Sequence, residues 1–352
     1  MKENLIDFRH LVASGEELNP AQIEKVASML TSEQIEDDDK AAFLREFSKR
    51  GETDKEFCGF VTAFRSFSKN PKLEAFSDHA IDLCGTGGDR SGSFNISSFV
   101  SILLAAGGVR VIKHGNRSIS SKCGSADLLE GLGIRLETEP AILQASMEEL
   151  NFCFLFAPHF HPSFKNLAPV RQKLASEGII TMFNRLGPCL NPASPAHHLL
   201  GVYDPAFLNQ IAYTLKHNGG ESGWVVHGYL SDEESNGVDE LTACGLNLVK
   251  MYGTKKESEK SKLLPSDWKQ TRCSQNDLLG GSLKKNLMIV DDLLNGTAHP
   301  GLKSTVLINA SAALYICGKV DHLEVGVDYA TQLLEDGSVK NWIDKAANFY
   351  SR

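Results

Sequence analysis

The first 75 residues carry their apolar positions at helical spacing. In "NPAQIEKVASML", Asn19 is a suitable N-cap and Pro20 suits the first position of a helix. Apolar residues then recur at intervals of three and four, which is the spacing of one helix face. Because the other segments of this part have the same helical character, we predict a small all-helical domain over residues 1–76.

One predicted helix of this part has an aromatic stripe. Thr53 and Glu56 have the spacing of a capping box, which marks the start of the helix. Four apolar side chains then share one face: Phe57, Phe60, Val61 and Phe64. Such a stripe must be buried, either in the core of a helical bundle or against a partner chain. A module of about 75 residues has little room to cover every stripe itself, so both interpretations stay open.

From residue 80 the pattern changes to short apolar runs rich in β-branched residues, including "AIDLC", "VRVIKHG", "FCFLFAP", "HHLLGVY" and "WVVHG". Helix-like stretches such as "SSFVSILLAAGG" separate these runs. Alternating strands and helices are typical of a mainly parallel sheet covered by helices. We therefore predict an α/β fold, in which the small helical N-terminal domain precedes a larger α/β domain.

The composition argues against a nucleic-acid-binding, membrane or secreted protein. The chain has 352 residues, of which 42% are hydrophobic, and its net charge is −8. Nucleic-acid binders typically carry a basic field, so we expect no nucleic-acid partner. No apolar run approaches the ~20 residues of a membrane helix, and the N-terminal segment lacks the apolar core of a signal peptide. Eight scattered cysteines without C-x-x-C spacing suit a reducing compartment, so we expect a cytoplasmic protein with no membrane contact.

The most distinctive segment is "DLCGTGGDRSGSFNISS", residues 82–98, which places four glycines between a predicted strand and a predicted helix. Such a turn exposes backbone N–H groups and directs the N-terminus of a helix at an anion. Neither the P-loop pattern nor G-x-G-x-x-G is present. Asn95, Ser97 and Ser98 add polar groups to the bare backbone. We therefore predict a diphosphate site, in which a serine hydroxyl is also available to Mg²⁺.

A second polar stretch, "KHGNRSISSKCGSAD" at residues 113–127, follows the predicted strand "VRVI". It therefore lies at the same carboxyl edge of the sheet, where ligands bind in open α/β folds. A solvated basic loop is the simpler interpretation. However, the bases are interleaved with hydroxyls and glycines, which is a composition suited to phosphate oxygens, and we favour a phosphate site.

Three further residues carry candidate chemistry. Asp239 and Glu240 follow the predicted strand "WVVHG". Adjacent carboxylates on a loop are commonly only solvated, but Mg²⁺ typically takes one or two carboxylates together with substrate phosphates. Arg171 lies on a predicted helix, from which it could project into a cleft. No nucleophile–base signature stands out, so no acid or base is assigned and we expect catalysis by positioning and by neutralisation of a leaving group.

The motif series resembles that of the anthranilate phosphoribosyltransferase family, in the same order along nearly the whole chain: "GTGGD", "NIS", "KHGNRSISSKCGSAD", "APHFHP", "APVR", "FNRLGPCLNP" and "GVDE". The wider nucleoside-phosphorylase-like group, including thymidine phosphorylase, shares the fold but carries a different block in place of "KHGNRS". The resemblance implies a nucleoside phosphorylase/phosphoribosyltransferase-like fold. Helices within 164–188 would join the domain of residues 1–76, residues 77–163 and 189–352 would form the catalytic domain, and the active site would occupy the cleft between them.

The resemblance also implies transfer of 5-phosphoribose from phosphoribosyl diphosphate (PRPP) to the amine of anthranilate, giving N-(5-phosphoribosyl)anthranilate and diphosphate, in tryptophan biosynthesis. The residues implied to contact PRPP are Gly85, Gly88, Asp89, Ser93, Asn95, Ile96, Ser97, Ser98, Lys113, His114, Gly115, Asn116, Arg117, Ser118, Ile119, Ser120, Ser121 and Ser125. Those implied to meet anthranilate are Gly85, Asn116 and Arg171, with the arginine facing its carboxylate. Ser97, Asp239 and Glu240 would serve two Mg²⁺ ions, and Lys113 and Arg171 would act by position and charge.

The family is typically a homodimer joined through the helical domain, which would place the aromatic stripe near an interface. Two departures from the family pattern stand out. The chain is longer between Arg171 and the "FN" motif and has Ile179–Ile180 where a second arginine is common, and Arg90 replaces a small residue. Two alternatives therefore accompany the main hypothesis. One is a related phosphoribosyltransferase or nucleoside phosphorylase with another acceptor, and the other is a non-catalytic relative that binds PRPP or nucleic acid.

Overall fold

A computed structural model describes residues 4–89, 91–117, 122–231, 234, 236–253 and 261–352. Arg90 and four of the predicted PRPP contacts, Ser118, Ile119, Ser120 and Ser121, lie outside the described residues. None of the described helices combines the length and the apolar character needed to cross a membrane.

The N-terminal part is helical, as predicted: α1 (Leu5–Ala13), α2 (Pro20–Thr31), α3 (Asp37–Arg50), α4 (Asp54–Ser66) and the short α5 (Glu74–Ser77). Asn19 caps α2, since its side chain accepts a hydrogen bond from the Gln22 N–H at 3.0 Å. The capping box of α4 is also formed: Thr53 Oγ1 accepts from the Glu56 N–H at 3.3 Å, and the Glu56 carboxylate accepts from the Thr53 N–H at 3.0 Å. Local capping chemistry therefore sets these two helix starts.

The aromatic stripe of α4 is buried within the chain itself. Phe57, Phe60 and Phe64 are 0% exposed. The ring of Phe60 packs edge-on against Phe47 of α3 at 5.3 Å between centroids, and Phe64 packs against Phe164 at 5.2 Å. The stripe is thus part of the core of the helical part, and its interpretation as a surface at an interface between chains is wrong.

Within the described part of the chain, an eight-stranded sheet follows, with strands β1 (Ala80–Gly85), β2 (Arg110–Gly115), β3 (Phe152–Phe156), β4 (His197–Gly201), β5 (Ser222–Tyr229), β6 (Gly237–Val238), β7 (Asn247–Gly253) and β8 (Lys262–Leu263). The strand order is β3-β2-β1-β4-β5-β7-β8, and β6 pairs with β5. The first five strands are parallel, whereas β6, β7 and β8 run antiparallel to their neighbours. The predicted mainly parallel sheet is confirmed.

Helices cover both faces of the sheet: α6 (Ile96–Ala106), α7 (Ser125–Gly131), α8 (Pro140–Leu150), α9 (Ala157–Phe160), α10 (Ala168–Ser176), α11 (Leu208–His217), α12 (Leu283–Leu294), α13 (Pro300–Ile316), α14 (Leu323–Glu335) and α15 (Ser338–Tyr350). Alternate strand residues enter two different cores, as the two-residue period of a strand requires. Leu199 faces the core shared with α6 and α13, whereas Leu200 faces the core shared with α4 and α11. Helix α10 packs against α3, so this later segment contacts the N-terminal helices.

Candidate active site

The candidate site lies where the strand order reverses. β1 is flanked by β2 and β4, and Gly85 at the end of β1 is in register with Gly201 at the end of β4. In open α/β sheets, ligands bind outside the carboxyl ends of the strands at such a switch point. The glycine-rich turn follows β1. Asp239 packs against Gly85 and Gly201 at the same edge, and Glu240 lines the same small cavity.

The glycines of the turn are explained by backbone conformation at some positions and by lack of space at another. Gly87 and Gly88 have φ of 67° and 84°, the left-handed region that glycine adopts without steric cost. Gly85 has ordinary backbone angles but no room for a side chain, since a Cβ there would lie 2.1 Å from Asp239 Oδ2. The glycines therefore let the acidic loop approach the end of β1 closely.

The acidic pair is held by backbone N–H groups of the predicted diphosphate loop. Asp239 Oδ2 accepts a hydrogen bond from the Gly87 N–H at 2.7 Å. Glu240 Oε1 accepts from the N–H of Ser97, in the first turn of α6, at 3.1 Å. Over the part of the chain that is described, Glu240 Oε2 is buried without a hydrogen-bond partner. The structure thus brings these distant parts of the sequence together.

Both carboxyl groups have pKa values above their usual range. Burial, followed by the charge of the nearby Asp89, raises the pKa of Asp239 to about 7. Burial and the charge of Asp239 raise the pKa of Glu240 well above its usual range. Desolvation and the nearby like charges both disfavour the ionised form of these groups. A bound cation would therefore stabilise both carboxylates.

These residues fit a magnesium ion. Mg²⁺ is a hard cation that binds oxygen, and it commonly uses one or two carboxylates together with substrate phosphates. The described residues contain no group of three or more His, Cys, Asp and Glu side chains arranged to hold a metal. Asp239 and Glu240 would therefore hold Mg²⁺ jointly with the oxygens of a phosphorylated substrate, and the unpartnered Oε2 of Glu240 is available for this.

The raised pKa of Asp239 predicts a pH dependence of stability. Between its ordinary pKa of 3.8 and about 7, the folded protein binds a proton that the unfolded chain releases. Stability therefore falls as pH rises through this window, so the metal-free protein should be more stable at about pH 6 than at about pH 8. Thermal unfolding with a chelator present measures this, and the limit is about 1.4 kcal/mol per pH unit for each proton. The same pH dependence in a variant with Asp239→Asn and Glu240→Gln would contradict this account.

Lys113 lies beneath the site. Its side chain is 2% exposed, and its ammonium group donates to the carbonyl oxygen of Leu83 and, at 3.4 Å, to Ser97 Oγ. Burial lowers the pKa of Lys113, and the charge of nearby Asp82 opposes this effect. The lysine therefore places its charge under the start of the glycine-rich turn and beside a predicted Mg²⁺ residue.

Asp82, which the sequence patterns did not single out, joins the two central strands. It is 0% exposed, and its Oδ1 accepts from the His114 N–H at 3.1 Å while its Oδ2 accepts from Asn191 Nδ2 at 2.8 Å. Burial raises the pKa of Asp82 to about 6, although Lys113 opposes the shift. Acidic residues are seldom fully buried without partners, so an aspartate inside the apolar run "AIDLC" was the signal that could have identified it.

The later half of the glycine-rich loop is clamped by residues 278–280. The Phe94 N–H donates to the Leu278 carbonyl at 2.8 Å, and the Gly280 N–H donates to the Gly92 carbonyl at 2.9 Å. Residues 278–280 therefore fix the backbone that leads into α6.

Two residues predicted to contact PRPP, Asp89 and Ser93, take part in hydrogen bonds inside the glycine-rich loop. The Ser91 hydroxyl donates to Asp89 at 3.0 Å and lies 2.7 Å from the Ser93 hydroxyl. Asp89 and Ser93 are thus linked through a serine that sequence reasoning did not identify.

Three other predicted PRPP contacts are engaged in the fold. Asn95 donates to the Cys123 carbonyl at 3.0 Å and accepts from Asn286 Nδ2 at 2.7 Å. Ile96 and Ser98 are buried in α6, with 2% and 1% of their surfaces exposed. Asn95 thus ties its loop to α12, and the side chains of the other two lie in the core.

In the second predicted phosphate-binding stretch, residues 113–127, Arg117 and Ser125 are engaged in bonds within the protein. Arg117 pairs with Asp127 and Glu130, each at 2.6 Å, so it must leave these carboxylates to bind a phosphate. Ser125 Oγ donates to the Asn116 carbonyl at 3.0 Å. These acidic partners were not foreseen from the sequence, although Asp127 ends the quoted stretch, because both lie on α7 and only the fold brings that helix to Arg117.

His114 and Gly115 complete this stretch at the end of β2. Burial lowers the pKa of His114 to about 3, so its ring is neutral and packs edge-on against His161 at 5.2 Å between centroids. A Cβ at Gly115 would lie 2.7 Å from Ser125 Oγ and 2.8 Å from the Phe154 ring, so a larger residue would displace one of these side chains.

Arg171 lies on α10, as predicted. Its guanidinium donates to the Phe183 carbonyl at 3.4 Å and lies 5.8 Å from the centre of the Phe183 ring. Burial lowers its pKa, and no acidic group among the described residues offsets this effect. A half-buried cation of this kind is suited to a carboxylate ligand. After the end of α10 at Ser176, Ile180 is 58% exposed.

Arg185, like Asp82 and Ser91, was not identified from the sequence. It is 7% exposed, pairs with Glu52, and donates to Gln210 Oε1 at 3.0 Å. Its guanidinium lies between the rings of Phe57 and Phe207, at 5.3 Å and 4.2 Å from their centres. The residue thus ties the segment after Phe183 to the N-terminal helices. A charge inside the motif "FNRLGP" was the available signal.

Known proteins are similar to most of this chain. The family model described as "Glycosyl transferase family, a/b domain" matches residues 77–340. The anthranilate phosphoribosyltransferases of Petrotoga mobilis and Methanobrevibacter smithii are each 36% identical to this chain, over 96% and 95% of it and over 94% and 96% of their own lengths.

Solved structures show the same fold. The crystal structure of anthranilate phosphoribosyltransferase from Thermus thermophilus has a TM-score of 0.86 at 35% identity, covering 98% of this chain and 100% of that one. The Saccharomyces cerevisiae enzyme, solved in complex with PRPP and Mg, has a TM-score of 0.81 at 21% identity, covering 100% and 99%, and supports the fold alone. With the two curated relatives above, these matches show that the chain belongs to the anthranilate phosphoribosyltransferase family.

Proposed function

We propose that this protein transfers 5-phosphoribose from PRPP to the amine of anthranilate, giving N-(5-phosphoribosyl)anthranilate and diphosphate, as a step of tryptophan biosynthesis. The observation that carries the proposal is the contact between the glycine-rich turn and the acidic pair, through the N–H groups of Gly87 and Ser97. This contact joins the proposed phosphate-binding turn to the proposed cation-binding pair at the switch point of the sheet.

The reaction needs little acid–base chemistry from the protein. The bond between C1 of the ribose and the diphosphate breaks, and negative charge develops on the leaving oxygens. The unprotonated amine of anthranilate attacks C1 and then loses one proton, which the leaving diphosphate or water accepts. Bound Mg²⁺ would neutralise part of the diphosphate charge. The N–H groups of Gly87 and Ser97 already donate to the acidic pair, so other N–H groups of residues 85–98 would face the leaving oxygens. Each donor placed on a developing charge contributes about 2–4 kcal/mol.

The residue roles follow from position. PRPP would lie over residues 85–98 and 113–125, and Ser97, Asp239 and Glu240 would serve two Mg²⁺ ions. The donor set described above supports Mg²⁺, and the yeast enzyme of the same fold was solved with PRPP and Mg. Anthranilate would meet Gly85, Asn116 and Arg171. The site would then occupy a cleft between a helical domain, made of residues 1–76 with the helices within 164–188, and the α/β domain.

We also propose that the protein is a homodimer joined through the helical domain. The buried stripe of α4 is excluded as the contact surface, so other faces of these helices would form it. Light scattering after size-exclusion chromatography tests this, since a monomer mass at micromolar concentration would contradict the proposal.

The test of function uses the fluorescence of anthranilate, which is lost when its amine is substituted. Mixing the protein with PRPP, Mg²⁺ and anthranilate should give a progressive loss of fluorescence that depends on all three additions. Release of diphosphate only with another amine or base would support the alternative acceptor. PRPP binding without turnover of any acceptor would support a non-catalytic relative.

A further inference from the structure

Two cysteines outside the proposed substrate contacts lie against each other. The sulfur atoms of Cys244 and Cys273 are 3.5 Å apart. Cys244 is 5% exposed and Cys273 is half-buried. Because a disulfide has an S–S length of about 2.05 Å, the two sulfurs need to approach by only about 1.5 Å to form one.

Cys244 belongs to the segment that carries the acidic pair. It lies four residues after Glu240, and hydrogen bonds to α13 fix the residues between them. The Leu241 N–H donates to Asn309 Oδ1 at 3.2 Å, and the Ala243 N–H donates to Thr305 Oγ1 at 3.1 Å. A movement of Cys244 would therefore also move residues 241–243. These residues directly follow the predicted Mg²⁺ residues Asp239 and Glu240.

Cys273 belongs to the segment that clamps the glycine-rich loop. It precedes residues 278–280, whose backbone pairs with Gly92 and Phe94. Its N–H donates to the Ala243 carbonyl at 3.1 Å, so the two cysteine segments already contact each other through their backbones. On its other side Cys273 packs against α13, where a Cβ at Gly301 would lie 2.4 Å from the Cys273 Cβ. Cys273 thus has little room to move towards that helix.

We propose that Cys244 and Cys273 form a site of reversible oxidation, at which a disulfide links the acidic loop to the clamp of the glycine-rich loop and lowers the turnover of PRPP. The geometry supports this proposal, because Cys244 lies in the segment of the acidic pair and Cys273 lies in the segment that clamps the glycine-rich loop. A hydrogen bond from the Cys273 thiol also lowers the pKa of Cys244, which favours the reactive thiolate.

The oxidant is a peroxide. The Cys244 thiolate attacks one peroxide oxygen, the O–O bond breaks, and sulfenic acid and hydroxide form. The Cys273 sulfur then attacks the sulfenic sulfur, the S–O bond breaks, and the leaving hydroxide takes the thiol proton as water. In total, two thiols lose two hydrogens and the peroxide is reduced to two waters. A dithiol reductant restores both thiols by thiol–disulfide exchange.

The disulfide is tested directly by mass. The full-length reduced protein is treated with hydrogen peroxide, free thiols are blocked, and peptides are mapped without reductant. We expect a peptide pair linked through Cys244 and Cys273, which disappears on reduction. Links only between other cysteines, or no link, would overturn the proposal, and this readout does not depend on what reaction the protein catalyses.

The consequence is tested by activity, which rests on the proposed transferase function. Oxidation should lower kcat/KM for PRPP by about 10-fold or more, since a shift of about 1 Å in a catalytic geometry can cost 10²-fold. Reduction should restore it, and Cys244→Ser and Cys273→Ser should each resist inactivation. Cys58→Ser, which removes a half-buried thiol of α4, is the control and should be inactivated like the wild type. Equal inactivation of all three variants, or a linked protein of full activity, would overturn the proposal.

Discussion

Replacement of Asp239 by Asn together with Glu240 by Gln is expected to lower kcat/KM for PRPP by about 10²–10³-fold while leaving the ligand-free protein at least as stable as the wild type. The two effects have one cause. Both carboxyls are buried, their pKa values are raised, and Glu240 Oε2 has no hydrogen-bond partner among the described residues. The isosteric amides keep acceptors for the N–H groups of Gly87 and Ser97 and are always neutral, whereas the wild-type carboxyls must bind a proton or a cation to avoid a buried charge. The amides also lack the negative charge that would hold Mg²⁺.

Steady-state kinetics over a Mg²⁺ titration and thermal unfolding with a chelator measure the two halves of this prediction. Glu16→Gln with Glu17→Gln is the matched control, because it also neutralises two adjacent carboxylates, and these are exposed. The control should resemble the wild type in both measurements. A double variant at 239–240 that loses stability but keeps its Mg²⁺ response would show that the pair is structural.

Replacement of Arg171 by Ala is expected to raise the KM for anthranilate about 10-fold or more and to change the KM for PRPP much less. A hydrogen bond to a charged group is worth about 1.5–3 kcal/mol, and the half-buried guanidinium, whose pKa burial lowers, gains from a carboxylate ligand. Arg171→Lys should recover part of the loss, since lysine keeps the charge but not the paired donors.

Lys173→Ala is the control for Arg171, because Lys173 lies on the same helix but is exposed and pairs with Asp38 at 2.6 Å. Its loss should leave both KM values unchanged, since an exposed ion pair of this kind contributes little. An equal rise of the two KM values in Arg171→Ala would show that the arginine shapes the whole site rather than binding the acceptor carboxylate.

The sequence was most informative where structure is decided locally. Asn19 with Pro20, and Thr53 with Glu56, mark helix starts through contacts within one turn, and both are formed. The alternation of apolar runs and helices likewise predicted the mainly parallel sheet. The glycine excess after β1 predicted a turn, and three of its glycines, Gly87, Gly88 and Gly92, have the left-handed backbone that glycine adopts easily.

The sequence was least informative where a residue's role depends on a distant partner. The stripe containing Phe60 looked the same whether it met Phe47 of the same chain or another chain. Arg117 looked free to bind phosphate, because Asp127 and Glu130 lie on a helix whose approach the spacing does not reveal.

Asp82 and Arg185 were missed for a related reason. Each is one charged residue in an apolar segment, and only the fold shows that Asp82 joins two strands and that Arg185 pairs with Glu52. A charged residue inside an apolar run therefore indicates a buried interaction, because a buried charge needs a partner that the fold must supply.

The central claim is that the glycine-rich turn and the acidic pair form one diphosphate–cation site. A crystal structure with PRPP and Mn²⁺ in place of Mg²⁺ tests it most directly, because the anomalous signal locates the metal independently. We predict a manganese peak bonded to the carboxylates of Asp239 and Glu240, with the diphosphate on the N–H groups of residues 85–98. Manganese away from both carboxylates, or a diphosphate bound elsewhere on the chain, would contradict the claim.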